Sequence, residues 1–306
     1  MKAAVLRESG GVPVVEDVDR PGPVDGGVLV DVAAAGINPH DLVVAAGVAA
    51  PAPVPYVPGV EGVGRTLDGV RVYFGWAITP HGSFAERAVA ARDAVQPIPD
   101  ELSDGAALAV GAAGVSAFVP LTWKARLQPG ETVLVLGATG AVGRIGVQVA
   151  KLLGASTVVA AGRNHDVLAE LRDLGADEVV ALEDDYPAEL RRVAGDGFDV
   201  VLDTLFGEPM VAALSATRSG GRLVNVGMRA GRRVDLSGLA LKGRDLLTYS
   251  GNDVPAEIRR AAFSQLADYV VAGRIRPSFR ELGLDDVAKG WKSQAESPGT
   301  KLILRP

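Results

Sequence analysis

Three glycines stand three residues apart near the middle of the chain, at Gly137, Gly140 and Gly143. Glycines at this spacing let main-chain N–H groups approach a diphosphate, because a Cβ atom would obstruct the approach. A helix that begins here would add unpaired N–H groups and the positive end of its dipole, worth roughly 0.3–1 kcal/mol for an anion. The spacing G-x-x-G-x-x-G departs from the commoner G-x-G-x-x-G, so a tight turn whose glycines serve packing alone is the alternative.

The flanking residues predict the elements that hold this turn. Residues 132–136 are β-prone and almost entirely apolar, as in a strand buried on both faces. After the turn, Val142, Ile145, Val149 and Leu152 recur at helical spacing. A strand, a glycine turn and a helix in this order are the context in which such a motif binds a dinucleotide. We therefore expect cofactor contacts from Gly137, Ala138, Thr139, Gly140, Ala141, Val142 and Gly143.

The composition bounds the class of protein. The chain has 306 residues, 48% of them hydrophobic and 22% charged, which suggests about two domains of a soluble globular protein. A net charge of −6 at pH 7 argues against a nucleic-acid or anionic-membrane surface. No apolar run reaches transmembrane length once its glycines and prolines are read, and the N-terminus lacks a signal-peptide pattern, so we expect a cytoplasmic protein. The sequence contains no cysteine, which removes disulfides, thiolate ligands and a cysteine nucleophile.

Two kinds of pattern divide the chain. Residues 1 to about 100 read as β-rich, with short apolar runs between Gly and Pro clusters, at 3–6, 28–33, 62–66, 70–74 and 84–90. Asp68-Gly69, between two of these runs, is a strong hairpin signal. Many short strands without helices suggest a compact barrel or sandwich. Residues 103–127 turn helical and alanine-rich.

From residue 132 onward, strands and helices alternate. The candidate strands are 132–136, 156–161, 178–182, 198–203, 222–227 and 246–250. The candidate helices between them are 142–153, 166–174, 187–194 and 209–217. This alternation predicts an α/β fold with a doubly wound parallel sheet, the Rossmann arrangement. Helices at 257–272 and 284–295 and a last strand at 301–304 follow, and we expect this tail to return to the N-terminal β-rich part.

Nine stretches in a fixed order resemble the medium-chain dehydrogenase/reductase superfamily, and within it the zinc-independent quinone oxidoreductase (zeta-crystallin-like) branch. They span nearly the whole chain: AAGINPHDL (34–42), PGVEGVG (58–64), GVRVYF (69–74), GSFAERAVA (82–90), GVSA (114–117), LQPGETVLVLGATGAVGRIGVQVAKLLGA (127–155), GAD (175–177), FDVVLDTLFG (198–207) and GGRLVNVG (220–227). The resemblance implies a Rossmann domain inserted into a GroES-like β-rich catalytic domain, reduced nicotinamide as hydride donor, and often a dimer. We accordingly expect GroES-like residues at 1–113, a Rossmann NADP-binding domain at 114–255, and a C-terminal part, 256–306, returning to the first domain.

Departures from the zinc-dependent relatives concern the metal and the substrate. Those relatives place a cysteine near Asn38, where the neighbours in this chain are Ile37 and Pro39. They place a histidine next to Glu61, where this chain has Val60. Their lobe of clustered cysteines is absent from the sequence. The threonine of the family's glycine-threonine-alanine stretch is Ser116 here, which keeps a hydroxyl, and Val43 replaces a tyrosine of the quinone pocket of some relatives.

The histidines do not predict a metal site. They are His40, His81 and His165, and no two lie at helical or hairpin spacing. A zinc site needs three or four nitrogen, sulfur or oxygen ligands, so we expect no bound metal and ordinary surface or turn histidines.

Residues for catalysis are few. Asn38 is the first candidate, as a side-chain donor near nicotinamide or substrate, although it can equally be a turn-former before Pro39. Ser116 is a candidate to hydrogen-bond the nicotinamide end, or else a plain helix cap. Tyr56 is a candidate to line the pocket, with packing as the favoured alternative.

The cofactor preference depends on the end of the second strand of the parallel sheet. An NAD-specific site places an acid there, whereas this chain has Gly162, Arg163 and Asn164. Gly162 admits the adenosine ribose, and Arg163 and Asn164 offer donors to a 2′-phosphate, which favours NADP(H). An exposed turn whose arginine points to solvent is the alternative, and the nearby Asp166 keeps NADH as a lesser possibility.

The nicotinamide end is assigned by position. Asn225, Val226 and Gly227 end the fifth strand and are expected to border the nicotinamide. Leu205 and Phe206 follow the fourth strand and either wall the cofactor groove or pack in the core. The sixth strand is predicted at an edge of the sheet, where it can pair with its copy in a homodimer.

Together these patterns predict an NADPH-dependent, zinc-independent reductase that acts on quinones or α,β-unsaturated carbonyls. The sequence leaves open an enoyl reductase of a biosynthetic pathway and a nucleotide-binding protein with weak or no turnover. A zinc alcohol dehydrogenase is the least favoured alternative. We expect small-molecule partners and no nucleic acid or membrane partner.

Overall fold

The structure is a computed structural model that describes residues 1–48 and 52–306. Within these residues the strands are β1 (Lys2–Val5), β2 (Val14–Asp17), β3 (Gly27–Ile37), β4 (Glu61–Thr66), β5 (Arg71–Phe74), β6 (Arg87–Ala91), β7 (Val95–Pro97), β8 (Thr132–Leu136), β9 (Thr157–Gly162), β10 (Glu178–Ala181), β11 (Phe198–Asp203), β12 (Thr217–Asn225), β13 (Asp245–Thr248), β14 (Phe279–Gly283) and β15 (Lys301–Arg305). The helices are α1 (Pro39–Ala45), α2 (Asp104–Val110), α3 (Ala112–Val119), α4 (Ala141–Leu152), α5 (His165–Asp173), α6 (Tyr186–Ala194), α7 (Gly207–Ser215), α8 (Gly238–Leu241), α9 (Ala256–Val271) and α10 (Val287–Ala295).

The chain divides into two compact units. The β-rich unit comprises Met1–Ala113, Phe263–Ala272 and Pro277–Pro306. The α/β unit comprises Gly114–Ala262 and Gly273–Arg276.

A mixed sheet forms the frame of the β-rich unit. Its strand order is β14-β15-β3-β4-β5-β7, and β6 also pairs with β3. The last strand, β15, pairs antiparallel with β3 through Leu302 and Ile37, so the chain's end joins its N-terminal part in one sheet. The hairpin predicted at Asp68-Gly69 is confirmed, because β4 and β5 are antiparallel neighbours on either side of it.

A parallel sheet forms the α/β unit, in the order β10-β9-β8-β11-β12-β13. Each adjacent pair in this order is parallel. All six residues of β11 are buried, as expected of a central strand with helices on both faces. The predicted Rossmann arrangement is confirmed, and β13 lies at the edge where the sixth strand was predicted.

Some predicted bounds are wrong. The helix predicted over 209–217 ends at Ser215, and β12 begins at Thr217, before the predicted 222. The early start of β12 comes with an irregular register against β11, between Phe198 and Val200. The predicted strand 84–90 is strand only over Arg87–Ala91, and the helical region 103–127 is α2, α3 and a π-helical turn at Pro120–Lys124. Pattern reading also missed β2, β7, β14, α1 and α8, because elements this short carry little periodicity.

One segment is apolar enough to resemble a membrane span. Asp104–Lys124 has 21 residues and has the length and composition of a membrane-spanning helix. However, 78% of its most apolar window is buried within the protein. A buried core helix has the same properties.

Candidate active site

Two of the three glycines in the turn after β8 have a steric reason to be glycine. Gly137 has φ +82°, and a Cβ there would lie 2.1 Å from Thr204 Oγ1. A Cβ at Gly143 would lie 2.4 Å from the Gly137 carbonyl oxygen. Gly140, in contrast, has extended backbone at the N-cap of α4 and ordinary space around a Cβ, whose nearest neighbour is the Gly137 oxygen at 3.5 Å. Close packing therefore explains Gly137 and Gly143, whereas Gly140 leaves the start of the helix uncovered.

The start of α4 can receive an anion. Gly140 provides no side-chain cap, so the N–H groups of Ala141, Val142 and Gly143 have no acceptor within their own helix. Such N–H groups and the helix dipole form an anion site at a helix N-terminus. The main chain of Ala138 is tied back to the sheet, because its N–H donates to the Ala161 carbonyl at 2.8 Å. The turn thus fits a dinucleotide diphosphate, and the individual contacts stay a prediction.

The end of β9 places Gly162, Arg163 and Asn164 at the same edge of the sheet. Gly162 packs on the glycine turn, since a Cβ there would lie 2.5 Å from Thr139 Cγ2. Asn164 is the N-cap of α5, and its Oδ1 accepts from the Val167 N–H at 3.1 Å. Arg163 is exposed. No carboxylate ends this strand, so the end of β9 presents a cation where an NAD-selective site presents an anion.

A buried carboxylate that pattern reading missed organises the ends of β11 and β12. Asp203 is fully buried and accepts from the N–H groups of Leu205 at 2.8 Å and Phe206 at 3.0 Å. Its other oxygen accepts from Asn225 Nδ2 at 2.7 Å. Burial raises the pKa of the Asp203 carboxyl, and these three donors oppose the rise. An acid at the carboxyl end of a buried parallel strand was a signal available in the sequence.

The residues predicted for the nicotinamide end are held by this carboxylate. Phe206 has φ +56°, a left-handed conformation that costs a non-glycine residue of order 1–3 kcal/mol and that the Asp203 hydrogen bonds sustain. Asn225 Nδ2 also donates to the Gly227 carbonyl at 2.7 Å. A Cβ at Gly227 would lie 2.7 Å from the Thr204 carbonyl oxygen, so only glycine fits there. Leu205 and Phe206 are half-buried and pack against the core of the unit, and Val226 is half-buried. Their contact with the cofactor stays a prediction.

Ser116 has a neighbour that pattern reading did not find. Its side chain lies near the side chain of Tyr249, which directly follows β13. The main-chain N–H of Tyr249 donates to the Asn225 carbonyl at 2.9 Å, which continues the pairing of β12 with β13. Burial raises the pKa of the Tyr249 hydroxyl, while the neighbouring Ser116 and the charge of Arg259 lower it.

Asn38 belongs to a buried polar cluster of the β-rich unit, with Glu61 and Lys301. Its Nδ2 donates to the Gly36 carbonyl at 3.1 Å and to Glu61 Oε1 at 3.0 Å, and its Oδ1 accepts from Lys301 Nζ at 2.5 Å. Lys301 also forms an ion pair with Glu61, and the exposed fractions of the two side chains are 3% and 0%. The other Glu61 oxygen accepts from Tyr73 Oη and the Ala112 N–H, each at 2.8 Å. Both amide hydrogens of Asn38 are therefore engaged.

Asp41 and Tyr56 lie on a small cavity beside this cluster. Asp41 accepts from the N–H groups of Asn38 at 2.8 Å and Val60 at 3.1 Å. Burial raises the pKa of the Asp41 carboxyl from 3.8 to about 7. Tyr56 is 6% exposed, and its hydroxyl has no hydrogen-bond partner among the described residues. The cavity, of about 40 Å³, is large enough for a water molecule that would satisfy this hydroxyl.

The described residues do not provide a set of ligands for zinc. Among residues 1–48 and 52–306, no group of three or more His, Cys, Asp or Glu is placed to hold a metal ion. At the position of the relatives' metal ligands, the Lys301 ammonium already neutralises Glu61. A second cation there would be repelled by Lys301.

Comparison with known proteins defines the family. A family model described as zinc-binding dehydrogenase matches residues 141–268, and one described as alcohol dehydrogenase GroES-like domain matches residues 24–69. The mouse (Mus musculus) quinone oxidoreductase is 34% identical over 75% of this chain and 74% of its own length. The chain therefore belongs to the medium-chain dehydrogenase/reductase superfamily, in its quinone oxidoreductase branch. The predicted family, the fold class and the class of enzyme, an oxidoreductase, are confirmed.

Two further similarities bear on cofactor and substrate. The quinone oxidoreductase from Thermus thermophilus, also solved in complex with NADPH, has a TM-score of 0.83 and 28% identity, with 100% of both chains covered. A phenolphthiocerol/phthiocerol polyketide synthase subunit of Mycobacterium tuberculosis is 31% identical over 84% of this chain. The chain spans only 12% of the length of that subunit.

Proposed function

We propose that the protein is an NADPH-dependent, zinc-independent reductase that delivers hydride to quinones or α,β-unsaturated carbonyls. The observation that carries this proposal is the uncapped start of α4 behind the glycine turn, with the cationic Arg163 at the end of the adjacent strand β9. The first feature fits a diphosphate and the second fits the 2′-phosphate of NADPH. Quinone oxidoreductase relatives and an NADPH-bound neighbour support the same cofactor and acceptor class.

Hydride transfer to these acceptors requires few reactive side chains. NADPH would supply the hydride, and the proton can come from water. The residues of this chain bind and orient the reactants, and such orientation can lower a barrier by roughly 7–11 kcal/mol in well-aligned cases. An obvious acid–base pair is therefore not required, which suits a quinone or an activated C=C bond better than an alcohol.

Three residues are proposed to contact cofactor or acceptor. Ser116 would serve the nicotinamide end, and Asn38 and Tyr56 would serve the acceptor. Asn38 is held by Glu61 and Lys301, so a hydrogen bond from its amide to an acceptor requires one of its present bonds to break. The hydroxyl of Tyr56 has no hydrogen-bond partner among the described residues, so it could donate to an acceptor that replaces a water in the cavity beside it.

A steady-state assay tests the proposal. NADPH oxidation is followed by absorbance with a panel of quinones, enones and enoyl thioesters, and we expect saturable turnover with quinones or enones. Saturable NADPH binding without oxidation across the panel would instead identify a nucleotide-binding protein that lacks turnover. One zinc per chain in the purified protein, with alcohol oxidation, would establish the alcohol dehydrogenase alternative.

An enoyl reductase is the second candidate function. The similarity to part of a polyketide synthase subunit over 84% of this chain favours it. Enoyl thioesters reduced with a kcat/KM well above that of every quinone would select this candidate.

We also propose a homodimer that forms through β13. This strand is the edge of the parallel sheet, and an edge strand exposes unpaired N–H and C=O groups that a second copy can use. Sedimentation of the wild-type chain as a monomer at micromolar concentration would refute this pairing. A cytoplasmic location stays a prediction.

A further inference from the structure

The connection from β12 to β13 carries an excess of positive charge. It includes five arginine or lysine side chains and one aspartate, in a chain whose net charge is −6 at pH 7. Three of the five lie close together in residues 229–233, which we call the arginine loop. Within this loop Arg232 and Arg233 are exposed, and neither side chain has an ion pair or a hydrogen bond with any other residue that the structure describes. The neighbouring acids Asp235 and Glu208 do not pair with them, so both guanidinium groups are available to a ligand.

The main chain of the arginine loop is fixed to the turn that follows β11. The Ala230 N–H donates to the Leu205 carbonyl at 2.8 Å. A Cβ at Gly231 would lie 3.1 Å from Gly207 Cα, so the two segments are in close contact. Gly207 has φ +68° and follows Phe206, which has φ +56°. Left-handed backbone at a non-glycine residue is concentrated at active sites and ligand sites, and here it holds the arginine loop at the carboxyl edge of the parallel sheet.

The anions of NADPH have proposed binding groups elsewhere on this edge. The diphosphate site follows β8 and the 2′-phosphate site follows β9, whereas the arginine loop follows β12, on the other side of β11. The two strand separations from β8 to β12 amount to about 10 Å. In sheets of this order, ligands lie across the carboxyl ends of the strands. An anion at the arginine loop would therefore have to come from the acceptor and not from the cofactor.

The candidate acceptors differ in charge. Quinones and simple enones are neutral. An enoyl thioester is also an α,β-unsaturated carbonyl, but it is carried on a pantetheine arm that ends in a phosphate, either in coenzyme A or on a carrier protein. A guanidinium group is planar and presents paired N–H donors that match phosphate oxygens. Two exposed guanidinium groups without partners therefore fit the phosphorylated acceptor, whereas a quinone offers them no anion.

We propose that the arginine loop binds the phosphate of a phosphorylated pantetheine thioester, and that an enoyl thioester is the preferred acceptor. The inference rests on the proposed function, because it assumes NADPH-dependent reduction at this edge of the parallel sheet. Arg232 and Arg233 bind and orient the carrier part of the acceptor. Neither is assigned a role in hydride or proton transfer.

Kinetics with crotonyl thioesters provide the first test. Crotonyl-pantetheine carries no phosphate, crotonyl-phosphopantetheine carries one, and crotonyl-coenzyme A carries further phosphates at its adenosine end. In Arg232→Ala/Arg233→Ala we expect kcat/KM for the two phosphorylated thioesters to fall about 3- to 30-fold, as for the loss of two exposed charge pairs. The value for crotonyl-pantetheine and the Kd of NADPH should not change.

A matched control removes two arginines at the opposite edge of the sheet. Arg191 and Arg192 are adjacent and exposed, in the last turn of α6, which leads to the amino end of β11. Arg191→Ala/Arg192→Ala lowers the net charge by the same amount and should change none of these values. Equal losses in the two double variants would overturn the inference, because net charge alone would explain them. An equal loss for all three thioesters would overturn it too, because crotonyl-pantetheine has no phosphate to bind.

The same series distinguishes the two sources of the phosphate. A loss confined to crotonyl-coenzyme A would assign the arginine loop to its adenosine phosphates and make coenzyme A the carrier. A loss with crotonyl-phosphopantetheine would assign the loop to the phosphate that both carriers share. Crotonyl-loaded carrier protein then decides between them, because a kcat/KM above that of crotonyl-coenzyme A would identify a protein carrier.

Ionic strength provides an independent reading. In the wild type, kcat/KM for crotonyl-phosphopantetheine should decrease between about 0.01 M and 0.15 M salt, because exposed charges are screened over this range. The value for crotonyl-pantetheine should stay constant, as should that of Arg232→Ala/Arg233→Ala with either thioester. A wild-type value that does not depend on salt for the phosphorylated thioester would contradict the proposed contact.

The wild-type acceptors separate this inference from the proposed function. A chain that reduces quinones with NADPH, but reduces crotonyl-phosphopantetheine no better than crotonyl-pantetheine, would overturn the inference and leave the proposed function standing. A chain that oxidises NADPH with no acceptor would refute the proposed function. Calorimetric titration with coenzyme A would then still decide whether the loop binds phosphate, because binding should be weaker in Arg232→Ala/Arg233→Ala than in the wild type and in the control.

Discussion

Lys301 neutralises a carboxylate that has no access to water, so its removal should strongly destabilise the β-rich unit. Lys301→Met keeps a long side chain but leaves Glu61, which is fully buried, without its counter-charge. Breaking a buried ion pair in this way costs about 3–5 kcal/mol. For a chain of 306 residues we expect the melting temperature of the unliganded protein to fall by roughly 5–8 °C, measured by differential scanning calorimetry.

Two further variants test whether the loss of stability comes from the unpaired buried charge and not from the removal of any lysine. Lys289→Met removes an exposed lysine from the same unit and should change stability by less than about 0.5 kcal/mol. Glu61→Gln combined with Lys301→Met removes both charges, while a glutamine oxygen can still accept from Tyr73 Oη and the Ala112 N–H. The double variant should therefore be more stable than Lys301→Met alone. A Lys301→Met protein within about 1 kcal/mol of the wild type would refute the reasoning.

Two other predictions concern cofactor choice and pH. Arg163→Ala should reduce the ratio of NADPH to NADH affinity about 10- to 100-fold, measured by calorimetry, and an unchanged ratio would show that Arg163 does not bind the 2′-phosphate. Asp41 should make the free energy of unfolding fall as the pH rises. Burial raises the pKa of its carboxyl from 3.8 to about 7, so between these pH values the folded chain holds a proton that the unfolded chain releases. Its contribution is complete below pH 3.8 and is lost as the pH rises to about 7. The unfolding free energy of the wild type minus that of Asp41→Asn should thus decrease across this window, by at most about 1.4 kcal/mol per pH unit, and a difference that stays constant would contradict it.

The α/β unit was predictable because its elements repeat a regular pattern. The bounds of β8 and β11 match the prediction at both ends, since uniform burial makes each strand a continuous apolar run. The glycine turn was predictable for the same reason, as a strand and a helix flank it at short range. The β-rich unit was harder to predict from the sequence. Its strand β14, for example, has four of its five residues exposed, so it carries little hydrophobic signal.

The polar networks of the site depend on contacts between distant parts of the chain. Asn38 was singled out, but its partner Lys301 stands 263 residues away and belongs to a strand that pattern reading treats as core. Ser116 was singled out without Tyr249, because only the order of strands in the sheet brings α3 and the end of β13 together. Asp203 could have been found from its place at the end of a buried strand.

Gly140 offers the most direct test that the start of α4 binds a diphosphate. A Cβ fits there without strain, and an Asp or Asn at an N-cap is favourable for a helix, so both Gly140→Asp and Gly140→Asn should fold with at least wild-type stability. The carboxylate of Gly140→Asp would lie where the diphosphate is expected, whereas Asn has the same shape without charge. By calorimetric titration with NADPH, we predict that Gly140→Asp binds at least about 100-fold more weakly than Gly140→Asn, as like charges repel near a protein surface. Equal affinities in the two variants would contradict the account.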